Sequence, residues 1–174
     1  MRNTKSLALL AILAVVALIA GCGGSDDSSS SGDTLSVDDY GKQVSEEFAS
    51  FNTDFSALGE QAGSPTSKDD YLSTVDQLQS RVGETIDNLK ALGVPDEAQK
   101  FNDDAVSALE ALQSSFDPIK EAVDSGDKTA VQTAAASLQA AAVDFQQKFT
   151  DLDKEAKTAG IPIDNLTGPA PAGG

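Results

Sequence analysis

Apolar residues recur with a helical period in four successive segments of the chain. The first places Val37, Tyr40, Val44, Phe48, Phe51, Phe55, Leu58 and Ala62 at steps of three and four. Tyr71, Val75, Leu78, Val82, Ile86 and Leu89 form the second, and Ala98, Phe101, Ala105, Leu109, Leu112, Phe116, Ile119 and Val123 the third. The fourth runs through Val131, Ala135, Leu138, Ala142, Phe145, Phe149, Leu152, Ala156 and Ala159. Such steps keep one stripe of an α-helix apolar, which is the seam that helical bundles bury. The period-two alternation of strands is absent.

The joints between segments carry their own signals. Gly63-Ser64-Pro65 breaks the first helix, and Ser67-Lys68-Asp69-Asp70 approximates a capping box for the second. Leu92-Gly93-Val94-Pro95 reads as a glycine helix end, with Pro95 opening the third helix. Ser125-Gly126-Asp127 ends the third and offers Asp127 as cap for the fourth. Gly160-Ile161-Pro162 repeats the Gly-Val-Pro device, an echo compatible with an old helical-hairpin duplication, although any two bundle helices share hydrophobic phase. Pro118 interrupts the third segment while the apolar phase runs on, so we expect one helix kinked there, with a break as the runner-up.

Helices of roughly 40–48 Å with short loops must lie antiparallel to their neighbours. The expected fold is all-α, an antiparallel up-down-up-down four-helix bundle over residues 35–162. Both ends of the bundle segment, near Val37 and Ala159, fall at the same end, from which the chain beyond Ile161 should also leave.

The first 21 residues follow a different rule. Arg2 and Lys5 precede fourteen apolar residues, Leu7 to Ala20, which then meet Gly21-Cys22. A spanning helix takes about 20 apolar residues, so residues 1–21 read as a signal peptide. Ile19-Ala20-Gly21-Cys22 resembles the lipobox of bacterial lipoprotein precursors, in which a small residue precedes an obligatory cysteine. The resemblance implies cleavage between Gly21 and Cys22, a diacylglyceryl group on the Cys22 thiol, and further acylation, as by palmitate, of the freed amine. Two acyl chains hold a protein at a membrane where one is marginal. Residues 22–34 would then be a lipidated cysteine and flexible Ser/Gly/Asp linker, and 163–174 a flexible Pro/Gly tail. The words LGVPDEAQKF and AVDSGDKTAVQTAAASL also resemble uncharacterised helical lipoproteins of high-G+C (actinobacterial-type) bacteria. That likeness covers about half the chain and implies no activity.

Composition narrows the chemistry. The 174 residues hold 12 Lys+Arg against 28 Asp+Glu, a formal charge of -16, with no His, no Trp and one Cys. Removing residues 1–21 takes two cations and no anion, leaving -18 and a single arginine, Arg81. Nucleic acid would repel such a chain. Without His there is no Ser-His-Asp or Cys-His pair, no HExxH zinc helix and no Glu-x-x-His di-iron site. A lone Cys makes no intrachain disulfide and no CxxC. The adjacent pairs Asp38-Asp39, Glu46-Glu47, Asp69-Asp70 and Asp103-Asp104 suit solvated faces and helix starts, and no calcium loop is present. Tyr40 and Tyr71 fall on apolar faces, where a wetted hydroxyl at the core edge is expected.

The leading expectation is a non-catalytic, lipid-anchored envelope lipoprotein, a binding or structural module without catalytic residue, metal or cofactor beyond the lipid on Cys22. It would sit outside the cell membrane and have an envelope protein as partner. The alternative is a carrier of a small hydrophobic ligand in an apolar pocket formed by Phe48, Phe51, Phe55, Leu138 and Phe145, between aromatic-rich first and alanine-rich fourth helices. An enzyme is the third reading and would need a convergent pair of buried carboxylates.

Overall fold

The structure, a computed structural model, describes residues 34–63, 66–163 and 166. The expected signal peptide 1–21, with Gly21, and Cys22 with the expected linker up to residue 33 lie outside the described residues, as do 164, 165 and 167–174 of the expected tail. The described part is an all-α four-helix bundle, and no strand occurs among the described residues. Helix α1 spans Val37–Ala62, α2 Lys68–Ala91, α3 Gln99–Ser114, α4 Asp117–Ser125 and α5 Lys128–Ala159, with a 3-10 turn at Asp96–Ala98. Helices α3 and α4 together form the third rod.

Local chemistry sets the starts. Ser36 accepts the Asp39 amide at 3.1 Å and Ser67 the Asp70 amide at 3.1 Å. Asp127 accepts from Thr129 at 2.8 Å and Ala130 at 3.3 Å. Each satisfies donors that a helix start leaves without an internal partner.

The third rod is broken rather than kinked. Pro118 has no amide to donate to the Ser114 carbonyl, and the chain passes through Ser115 and Phe116 with tighter bonds. These run from Ser115 to Leu112 at 3.0 Å and from Phe116 to Gln113 at 3.3 Å. Phe116 occupies the cap position. Ser115 and Phe116 both keep right-handed helical dihedrals, so the seam survives the break and Phe116 and Ile119 stay buried.

The echoed Gly-β-branched-Pro words fold differently. Gly160 takes φ 71°, and Ile161 donates back to the Ala156 carbonyl at 2.9 Å. This left-handed end, with Ile161 and Ala156 both buried, suits glycine. At the other word α2 ends on an extended Leu92, Gly93 has no positive φ, and Pro95 precedes a 3-10 turn instead of opening α3. The echo is one of letters and not of backbone.

Successive rods neighbour one another closely, α1 on α2, α2 on α3, and both α3 and α4 on α5. Helix α1 meets α5 through rings, Phe48 on Phe149 with centroids 5.0 Å apart and Phe51 on Phe145 at 6.2 Å. The lower end, where α1 begins and α5 finishes, is strapped by the chain after α5. Ile161 and Leu166 are buried there and Ile163 is half-buried, so these first tail positions are packed against the core and do not leave it. Pro162 lies so close to Gly41 that a Cβ there would stand 2.7 Å from its carbonyl oxygen. Leu35 donates to the Gly93 carbonyl at 2.8 Å, tying the chain before α1 to the α2–α3 turn.

Candidate functional site

The five side chains of the expected apolar pocket do come together in part. Phe48, Phe51 and Phe145 are buried, while Phe55 and Leu138 are half-buried. Their neighbours are largely each other. Phe51 stacks on Phe55 at 5.1 Å, Phe145 on Phe149 at 4.4 Å, and Phe55 reaches Phe116 at 6.5 Å. Edge-to-face and tilted contacts at these separations are those of packed aromatic cores. The α5 alanines play a smaller part than their number suggests. Ala134 is buried, whereas Ala135, Ala136, Ala140 and Ala142 are exposed beside Val143, which is 57% exposed. Ala135 and Ala142 therefore leave the expected seam, and Ala134 and Ala141 stand in their place.

A buried polar contact crosses the lower core. The Tyr40 hydroxyl donates to Asn102 Oδ1 at 3.0 Å, with both residues buried. Tyr40 is thus not the wetted core-edge residue its position suggests. Burial, reinforced by the nearby Asp103 charge, pushes its ionisation well above the ordinary phenol range. Tyr71 fits the expectation better: it is half-buried, and burial raises its pKa. Asn102 lies at helical spacing between Ala98 and Ala105, but an amide gives a sequence reading no reason to bury it.

Arg81 is the other polar centre. Its Nε donates to Asp54 at 2.9 Å, Nη2 to Ser50 at 3.2 Å, and Nη1 to Glu47 at 3.2 Å and Thr85 at 3.0 Å. The guanidinium carbon also stands 6.0 Å from the Phe51 ring centroid. Thr85 and Asn88 complete the Glu47 carboxylate at 2.9 Å each. With side chains only 12% and 18% exposed, Arg81 and Glu47 form a half-buried clamp between α1 and α2. The one sequence signal for it was the solitary arginine.

No Asp or Glu is buried among the described residues, and no metal-ligating group of three or more occurs among them. Lys100 bridges α3 and α5 through Asp104 and Glu155, both at 2.6 Å, and those bonds raise its pKa. Hydrogen bonding to Asp76 raises Lys120 likewise, and Lys154 lowers Asp151.

Among the described residues, four surface concavities stand out. The largest, about 620 Å³ and open to solvent, lies at the upper end, lined by Tyr71, Val123 and Val131 with Lys68 and Lys128 among its polar residues. The others measure about 380, 290 and 220 Å³ and are lined by Asp54 and Glu84, by Glu46 and Glu47, and by Asp104, Asp151 and Glu155. None of the four is lined by Phe48, Phe51, Phe55, Leu138 or Phe145. Compared with protein-family models, with curated proteins and with solved structures, the chain gives no match.

Proposed function

We propose that the chain is a lipid-anchored extracytoplasmic lipoprotein whose bundle serves the cell envelope as a non-catalytic binding or structural module. The observation that carries this reading is the sole cysteine, Cys22, placed directly after a basic start, a fourteen-residue apolar run and Gly21. Acyl groups on Cys22 would hold the protein at the membrane, since a net charge of -18 after cleavage opposes adsorption to anionic headgroups. The bundle is compatible with that role. No described helix is long and apolar enough to cross a membrane, and the described carboxylates sit at the surface or in ion pairs. A cell-envelope protein is the partner class this reading expects, and nucleic acid is not.

Mass spectrometry of the mature N-terminal peptide is the direct test. We expect a peptide beginning at Cys22 and carrying diacylglyceryl and amide-linked acyl mass. Cys22→Ala should release the protein from membranes. An unmodified Cys22, or membrane association indifferent to that substitution, overturns the reading. Crosslinking in intact membranes then asks for the partner, and recovery of none counts against a binding module.

A further inference from the structure

The largest concavity lies at the opposite end of the bundle from the strap. Tyr71, Val123 and Val131 line it as half-buried residues, and one helical turn deeper lie Val75 and Ile119, each only 1% exposed. The cleft is therefore the outer mouth of the hydrophobic core, and an alkyl chain laid in it continues that core. Its volume of about 620 Å³ falls among small-molecule sites, which run about 300–1,000 Å³.

Charge selects the kind of amphiphile. In a chain with 28 carboxylates and 12 cations, this cleft is lined by two lysines and no carboxylate, whereas each of the three smaller clefts includes at least one acid. Lys68 also contacts Asp124, at 3.2 Å to its carboxylate and 3.2 Å to its carbonyl, and this bridge fixes the ammonium at the rim between α2 and α4. Lys128 supplies the uncompensated charge of the lining from the first turn of α5. A neutral apolar ligand would leave this pair unused, whereas an anionic head group could accept from both ammonium groups.

We propose that this cleft binds a long-chain fatty acid, with its alkyl chain against Tyr71, Val123 and Val131 and its carboxylate at Lys68 and Lys128. The site is independent of the anchor on Cys22 and lies apart from the ring cluster. Each methylene withdrawn from water should strengthen binding by up to about fourfold, so affinity should climb with chain length until the cleft is filled.

The test uses the full chain in phosphatidylcholine vesicles and a fatty acid bearing a photoactivatable diazirine. Label should map to peptides holding Tyr71 and Val131 and be displaced by unlabelled acids, longer chains competing better. Lys68→Gln with Lys128→Gln should weaken labelling by the acid at least fivefold and leave the matching fatty alcohol within twofold. Both lysines are exposed, so helical circular dichroism should be unchanged. Val131→Trp, which fills the cleft, should abolish labelling by both probes; if that variant unfolds, the lysine pair decides alone. Undisplaced label, label centred on Phe55 and Leu138, or indifference to the lysines overturns the proposal, as does a phospholipid probe that outcompetes the acid. Cys22→Ala should label as the parent does, which separates loss of the anchor from failure of the cleft.

Discussion

The two ends of this bundle solve the same problem in opposite ways. At the lower end the core is closed. Tyr40 and Asn102 satisfy each other in the interior, Ile161 and Leu166 cover it from below, and Leu35 is pinned to the α2–α3 turn. At the upper end Tyr71, Val123 and Val131 remain only half-buried around an open cleft, and Phe55, Leu58 and Leu138 are also only half-buried. The same apolar period runs through both ends of α1. What differs is the material outside the helices: a strap of buried aliphatic residues below, a lysine-rimmed concavity above. A helical seam alone does not close a core.

The comparison is broken most directly by truncating rings. Phe51→Ala removes a fully buried ring from the stack and should cost about 3–5 kcal/mol of unfolding free energy. Phe55→Ala, one turn nearer the open end, should cost less than about 2 kcal/mol because its ring is already half in water. Equal losses in denaturant unfolding would mean that the upper half is as closed as the lower.

Tyr40→Phe should cost about 1–3 kcal/mol, because it leaves the Asn102 carbonyl buried without its donor. Asn102→Leu in that background should recover part of the loss, since removing both polar partners is cheaper than removing one. No recovery in the double variant would show that the ring, and not the hydrogen bond, sets the lower core.

The strap is probed at Gly41. Gly41→Ala gains helix propensity of about 1 kcal/mol, yet its Cβ would press on the Pro162 carbonyl, so the intact chain should be destabilised by about 1 kcal/mol. In a chain ending at Gly160 the same substitution should turn stabilising. A sign that does not change between the two backgrounds would mean that the strap yields without strain.

The smallest effect is expected at the upper end. Hydrogen bonds from Thr66, then Ser67, lower the Asp70 pKa. Its stabilising contribution is therefore complete above the unfolded carboxylate value, about pH 3.9. It is lost as pH falls through the lower folded value. Amide exchange at the start of α2 should rise across that interval while the amides around Tyr40 stay protected. Simultaneous loss at both ends would point to global acid unfolding instead.

Much of this was written in the sequence. The expected seam positions of the first three segments are buried or half-buried, because the contrast between Phe, Leu or Val and the charged residues between them leaves one phase. In α5 the expectation failed at Ala135 and Ala142 alone, where Ala134–Ala136 and Ala140–Ala142 make every phase apolar and the period has no contrast. Ala134 and Ala141 turn inward there, and Ala135 and Ala142 outward. Pro118 announced an interruption, but the turn through Ser115 and Phe116 depends on hydrogen bonds that no local propensity dictates. The Arg81 clamp was similarly hidden, since Glu47, Asp54 and Thr85 are brought to it by packing across two helices. Leu166 lies in a Pro/Gly-rich stretch that composition alone assigns to solvent, yet its side chain is buried in the core cluster.

The bond from Leu35 to Gly93 has a mechanical meaning. A pull on the chain before α1 reaches Leu35 ahead of the helix, and there part of it passes sideways into the turn joining α2 to α3. The force is thus shared between two hairpins before the first turn of α1 can unwind. Such a joint behaves as a strain relief: tension entering at Leu35 is met first at the α2–α3 turn, ahead of the rods.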